Sequence, residues 1–275
     1  MLSSLLPAAA IAVEAFEDDP AAVLFPEESA LLARAVEKRR REFTTARICA
    51  HTALRRLGLP PAPILPGPRG APGWPDGVVG SITHCAGYRA AAVAWSCDLH
   101  TVGIDAEPNE PNPPGVTREI TVEDEADRLT SLIASRPGVR WDRLLFSAKE
   151  SVYKAWFPLA GRWLGFEDAA LTLDPGTAPL AGAPVILDGP VGPVATPSFG
   201  ATAGPGKSTG FGGAAARVPV RAEGTFTARL LVDGPVLGPG ALTGFDGRWL
   251  VEGGLLITAI TVPHIDGTPT PSVTA

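Results

Sequence analysis

The 275-residue sequence predicts a mixed fold of the α/β (α+β) class, on three observations. Helical patterning fills residues 27–57 and 142–159; β-like runs recur at 78–83 and 90–95 and again up to residue 107; and strand patterning returns beyond residue 217. Helices and strands are therefore offered by both halves of the chain, with mostly short connections. A hydrophobic content of 45% is ample for one large or two modest cores.

The first fifteen residues are apolar and include Ala8-Ala9-Ala10, but no Lys or Arg precedes Arg34. The charged opening of a signal peptide is missing, and the segment reads as an initial strand or a loose terminus. Residues 27–57 read as helical: Pro26 precedes them, Glu27 and Glu28 occupy the first turn, and Gly58 ahead of Pro60-Pro61 stops the run. The pattern also accommodates a break near Arg41 into two helices. Arg47, His51 and Arg55 follow one another at i, i+4 and i+8, so they share a flank able to meet a phosphate. Residues 60–80 form a Pro- and Gly-dense loop that contains Pro68-Arg69-Gly70-Ala71-Pro72.

Three β-like runs come next, the last ending at Asp105 and Glu107, and residues 116–135 and 142–159 follow as helices. In the second helix Leu145, Ala148, Val152, Trp156 and Leu159 recur at helical spacing as a buried stripe, which puts Glu150 and Lys154 on the opposite side. Residues 169–173 read as a strand. Between 175 and 217, seventeen of 43 positions are Gly or Pro, as expected of a mobile insertion. It contains a relaxed phosphate-loop match, Ala201 to Lys207-Ser208. Its Pro- and Gly-rich flanks suit neither the strand before nor the helix after such a loop, so the match reads as coincidence. Residues 224–232 and 248–262 resume β patterning, the latter as a hairpin about Gly253-Gly254.

Three cysteines, Cys49, Cys85 and Cys97, lack metal-type spacing and are odd in number, which points to a reduced, cytoplasmic setting. No apolar run reaches the ~18 residues of a membrane span, so a soluble protein without membrane partners is expected. A net charge of -6 argues against nucleic-acid binding, yet the charges are segregated. From Arg34 to Arg56 there are eight bases and two acids; from Asp105 to Asp127 there are eight acids and one base. The runs read equally as two solvated faces or as a phosphate-binding wall facing a metal-binding wall.

The chemistry concentrates in two stretches. Asp105 and Glu107 stand two apart on an extended segment and point to one face, so they can converge on one ion. Glu150 adds a third carboxylate, with Lys149 beside it and Lys154 one turn away. Hard oxygen ligands with lysines suit magnesium, which takes one or two protein carboxylates, keeps waters and accepts phosphate oxygens.

The order Gly80-Ser81-Ile82-Thr83-His84, then Val102-Gly103-Ile104-Asp105-Ala106-Glu107, then Lys149-Glu150 with Lys154, resembles the 4'-phosphopantetheinyl transferases of the Sfp/EntD type. The resemblance covers residues 23–174 and, more loosely, the chain's end. It implies two similar lobes related by pseudo-twofold symmetry, an N-terminal one at 1–102 and a C-terminal one at 103–275, with the site between them. It also implies Mg2+-dependent transfer of 4'-phosphopantetheine from coenzyme A to a serine of an apo acyl or peptidyl carrier protein, with release of adenosine 3',5'-bisphosphate. The carriers would belong to polyketide, peptide, siderophore or fatty-acid synthesis, and the enzyme would be a monomer.

On that resemblance Asp105, Glu107 and Glu150 are the metal ligands, Glu150 doubles as general base, and Lys154 keeps Glu150 ionised and assists the leaving phosphate. Arg47, Arg55, Arg69, Thr83, His84, Asp105, Lys149 and Lys154 are the coenzyme A contacts, with Arg40 a weaker candidate. Phe146 stands where many relatives carry Trp, and His51 where a permanently charged base is expected. Two other readings use the same residues: another metal-dependent phosphoryl-transfer or hydrolytic enzyme, and a non-catalytic coenzyme A or carrier-binding protein.

Overall fold

The computed structural model describes residues 1–176, 221–237 and 240–264. The expected insertion at 175–217, beyond its first two positions, and the Lys207 match lie outside the described residues.

In chain order the elements are β1 (Ile11–Ala15), α1 (Pro26–Ala30), α2 (Glu37–Arg56), β2 (Val78–Cys85), β3 (Tyr88–Trp95) and β4 (Leu99–Pro108). Then come α3 (Val116–Ile120), α4 (Glu125–Ser135), α5 (Trp141–Ala160), β5 (Ala169–Asp174), β6 (Ala222–Leu230), β7 (Val236–Leu237), β8 (Gly240–Ala241), β9 (Gly244–Glu252) and β10 (Leu255–Pro263). The mixed α and β class is therefore observed. Its main sheets are antiparallel: a three-stranded one in the order β1-β3-β2 and a five-stranded one in the order β4-β10-β9-β6-β5. The initial apolar segment supplies β1, an edge strand paired with β3. The expected hairpin is β9-β10, and its turn needs glycine because Gly253 and Gly254 both adopt positive φ, 60° and 80°.

Each main sheet carries one twenty-residue helix. The α2 helix lies on β3, where Ala50 and Ala53 meet Ala91 and Val93 in one buried cluster with Cys49, Leu54 and Ile64. Small side chains on both surfaces let helix and strand approach closely. The α5 helix lies on β4 and β10, its stripe of Leu145, Ala148, Val152 and Trp156 buried with Trp141 and Trp249. At Gly103 the approach is so close that a Cβ would stand 2.2 Å from the Ser151 carbonyl oxygen. Glycine is what lets α5 seat on β4.

The two sheets meet at β2 and β4 through side chains rather than a backbone ladder. Ser81 Oγ accepts from the Ile104 amide at 3.1 Å, and Thr83 Oγ1 accepts from the Ala106 amide at 3.0 Å. Two expected helices are each divided. The first breaks at residues 31–36, earlier than Arg41, because Arg40 donates to the Ala33 and Ala35 carbonyls and Val36 is extended. The second breaks at 121–124, where Glu123 takes φ 50° and the Glu125 carboxylate accepts from the Val122 amide.

Candidate active site

Between α2, the turn around residue 69, β2 and α5 lies a cleft of about 660 Å³. Its lining mixes apolar side chains, among them Leu32, Phe43 and Trp74, with the cationic or polar groups of Arg39, Arg47, Arg69, His84 and Lys154 and the carboxylate of Glu150. Such a basic hollow with apolar and aromatic lining suits an anionic ligand that carries a ring.

Arg47 is 6% exposed and lies over the Phe43 ring at 4.7 Å. Burial lowers its pKa, Glu28 opposes that effect and Arg39 adds to it, so its charge is held at a cost that an incoming anion relieves. His84 ends the functional part of β2, and its Nε2 is 2.8 Å from Arg39 Nη1. Arginine can only donate, so Nε2 accepts and the ring is neutral, with its proton on Nδ1. Burial first, then Arg39, lowers the His84 pKa. Arg69 rides a turn closed by the Gly67 amide on the Ala71 carbonyl at 2.7 Å, and its guanidinium stands 5.6 Å over the Trp163 ring.

The carboxylates occupy the junction of β4 and α5. Asp105 is 5% exposed; its Oδ1 accepts from Lys154 at 2.7 Å and from Thr83 at 3.2 Å, while Oδ2 is buried without a hydrogen-bond partner. Glu107 pairs with Arg143 at 3.3 Å, and burial followed by the Asp105 charge pushes its pKa up to about 7 against the pull of Arg143 and Lys154. Burial raises the Glu150 pKa as well, tempered by Lys154 and reinforced by Asp105.

Among the described residues, no group of three or more His, Cys, Asp or Glu side chains forms a ready cage for an ion. Arg143 holds one Glu107 oxygen and Lys154 one Asp105 oxygen, so the trio is open rather than closed. The donor set nonetheless suits a divalent cation. An orphaned buried carboxylate oxygen lacks the partner that such atoms nearly always have, and three carboxylates that feel one another's charge share only Lys154 and Arg143 as cations. Magnesium needs only one or two of them directly.

Three expected contacts are corrected. Lys149 is 4% exposed and turned into the protein: its ammonium donates to the Phe166 and Ala169 carbonyls at 2.8 and 2.9 Å and pairs with buried Glu125 at 3.0 Å. All three of its protons are spent, and none is left for a phosphate. Thr83 is buried, with its hydroxyl engaged between Asp105 and the Ala106 amide, so it supports a carboxylate rather than a ligand. Arg55 is exposed, donates to Thr52 Oγ1 at 3.1 Å and does not line the cleft. The weaker candidate Arg40 is likewise occupied by backbone carbonyls.

Several site residues escaped the sequence reading. Arg39 was one base within a basic run, Tyr153 one aromatic within a helix, and Arg143 one base ahead of Phe146; only packing distinguishes them. A smaller hollow of about 120 Å³, lined by Leu164, Phe166 and Trp163, shares Glu150 and Tyr153 with the main cleft.

Residues 27–94 match the family model described as the 4'-phosphopantetheinyl transferase N-terminal domain, and residues 101–190 match that of the 4'-phosphopantetheinyl transferase superfamily. The chain is 48% identical over 271 residues to 4'-phosphopantetheinyl transferase Svp of Streptomyces mobaraensis, covering 98% of this chain and 92% of that one. It is 43% identical over 267 residues to 4'-phosphopantetheinyl transferase PptT of Mycobacterium tuberculosis, covering 95% and 98%. Enterobactin synthase component D of Salmonella typhi is 36% identical over 141 residues, 51% of this chain and 58% of that protein.

Proposed function

This chain belongs to the 4'-phosphopantetheinyl transferase superfamily, and from that premise we propose that it moves 4'-phosphopantetheine from coenzyme A to a serine of an apo acyl or peptidyl carrier protein. Adenosine 3',5'-bisphosphate is the co-product and Mg2+ the assisting ion. The observation that carries this reading is a cationic cleft that is lined by Glu150 and Lys154, with Lys154 bonded in turn to Asp105, whose second carboxylate oxygen is buried without a partner.

Arg47, Arg39 and Arg69 bind the 3'-phosphate and neighbouring groups, their guanidinium forks matching phosphate oxygens, while the apolar and aromatic lining receives adenine. His84 donates Nδ1–H to a pyrophosphate oxygen, and Lys154 stands between Asp105 and the reacting phosphate. The pantetheine arm extends past Tyr153 toward the smaller hollow. Asp105, Glu107 and Glu150 would hold a Mg2+, which would supply positive charge to offset that of the pyrophosphate. Glu150, with its raised pKa, takes the serine proton as the serine oxygen bonds to phosphorus. The bridging P–O bond breaks and its electron pair leaves with adenosine 3',5'-bisphosphate, with Lys154 offsetting the developing charge.

The lobes belong to the same reading. Two helix-on-sheet units, α2 on the first sheet and α5 on the second, are taken as pseudo-twofold partners. We take the turn at 96–98 as their junction, since β4 runs unbroken through residues 102–103. A cytoplasmic monomer serving peptide, polyketide or siderophore carriers completes it.

The experiment is incubation with coenzyme A, MgCl2 and a panel of apo carriers, read by intact carrier mass. Phosphopantetheine should appear on a carrier. Consumption of coenzyme A with no carrier modified would instead support a hydrolase.

A further inference from the structure

Glu28 is fully buried and does not line the cleft, yet four contacts converge on it. Its Oε1 accepts from the Ile64 amide at 2.9 Å, its Oε2 from the Phe25 amide at 3.3 Å, and His51 Nε2 lies 2.9 and 3.0 Å from the two oxygens. Arg47 Nε stands 3.8 Å from Oε1, an ion pair too long for a direct hydrogen bond. The Glu28 carboxylate can only accept, so His51 Nε2 donates to it. Arg47 supplies a permanent positive charge within ion-pairing distance of the same carboxylate. Among the described residues the Arg47 guanidinium makes no hydrogen bond; it is held by the Glu28 charge behind it and by the Phe43 ring beside it.

We infer that Glu28 is a positioning residue for Arg47 and thereby sets the enzyme's preference for a donor that carries a 3'-phosphate over one that lacks it. The inference rests on the reading above, in which Arg47 meets that phosphate. Removing the carboxylate would leave a buried guanidinium without its counter-charge, and breaking one half of such a pair is strongly destabilising to its geometry. Arg47 then turns toward solvent, out of reach of the phosphate. This places His51 as well: it is not a phosphate ligand but the donor that orients Glu28.

The test compares kcat/KM for coenzyme A and for 3'-dephospho-coenzyme A with one apo carrier, in the parent protein, Glu28→Gln, Arg47→Gln and the double variant. Glu28→Gln should cut the preference for coenzyme A at least tenfold, chiefly through KM for coenzyme A. In the Arg47→Gln background, Glu28→Gln should cause no further change in the ratio, the non-additivity of residues that act as one unit. A purely structural role would slow both donors equally. Should Glu28→Gln not fold, Glu28→Asp, which keeps the charge but draws it back, serves in its place, alone and with Arg47→Gln. A preference in the parent that survives in the Glu28 variants overturns this inference alone. A parent with no preference, or with no transfer, overturns both this inference and the reading beneath it.

Discussion

In the proposed mechanism Asp105 and Glu150 bear the chemistry, and each makes a sharp prediction. Asp105→Ala removes the anchor of Lys154 and the orphaned oxygen together, and Glu150→Gln removes the proton acceptor. Each should lower turnover by ~10²-fold or more in steady-state assays while the far-UV circular dichroism stays that of the parent. Lys149→Met should behave oppositely. It strands Glu125 in the core, so thermal melting should show a loss of ~3–5 kcal/mol with little change in KM for coenzyme A. His84 predicts a pH signature: its pKa lies below the ordinary 6.5, so unfolding takes up protons. The stability tied to its neutral form is complete above ~6.5 and declines as pH falls below it. An NMR titration of the free protein should place the His84 midpoint under 6.5, and coenzyme A should move it up; a midpoint at or above 6.5 in the free protein contradicts the account. The i, i+2 pair of Asp105 and Glu107 was legible in the sequence because strand geometry is local. Lys149 was misread although the periodicity held the answer: adjacent helical residues are ~100° apart, so Lys149 could not share the face of Glu150. Glu28 and Arg143 left no signal, since what defines them is the residue they meet from distant chain.

At the scale of elements, β2, β3, β4, α5 and the β9-β10 hairpin were all readable from alternation, helical spacing and paired glycines. The two divided helices were not. Their breaks are set by short-range side-chain–backbone hydrogen bonds, from Arg40 to the Ala33 and Ala35 carbonyls in one case and from the Val122 amide to the Glu125 carboxylate in the other, which hydrophobic periodicity does not record. The contact of α5 with β4 is the element-level feature on which the site depends, because it sets the distance between Asp105 and Glu150. Gly103→Ala forces a Cβ against the Ser151 carbonyl oxygen and the Ala155 amide, at 2.2 and 2.7 Å. Overpacking of this kind costs ~1–3 kcal/mol. The variant should melt earlier and lose transfer activity while retaining its secondary structure; unchanged melting and activity would show that the contact does not matter.

In the whole molecule the site exists because two helix-on-sheet units are stitched side by side. The cationic wall comes largely from α2 and the 69 turn, the acids from β4 and α5, and the stitches are Ser81 and Thr83. Thr83→Val withdraws an acceptor from the buried Ala106 amide and a donor from Asp105, a loss of ~1–3 kcal/mol. It should also weaken Mn2+ binding, read by electron paramagnetic resonance, although Thr83 belongs to the unit that carries none of the proposed metal ligands. The central claim is that Asp105, Glu107 and Glu150 act with the cleft's cations to transfer phosphopantetheine. The most direct measurement is the intact mass of an apo carrier after incubation with coenzyme A, MgCl2 and either the parent or Glu150→Gln. The parent should add one phosphopantetheine per carrier and Glu150→Gln none; a carrier left unmodified by the parent, or modified equally by both, would contradict it.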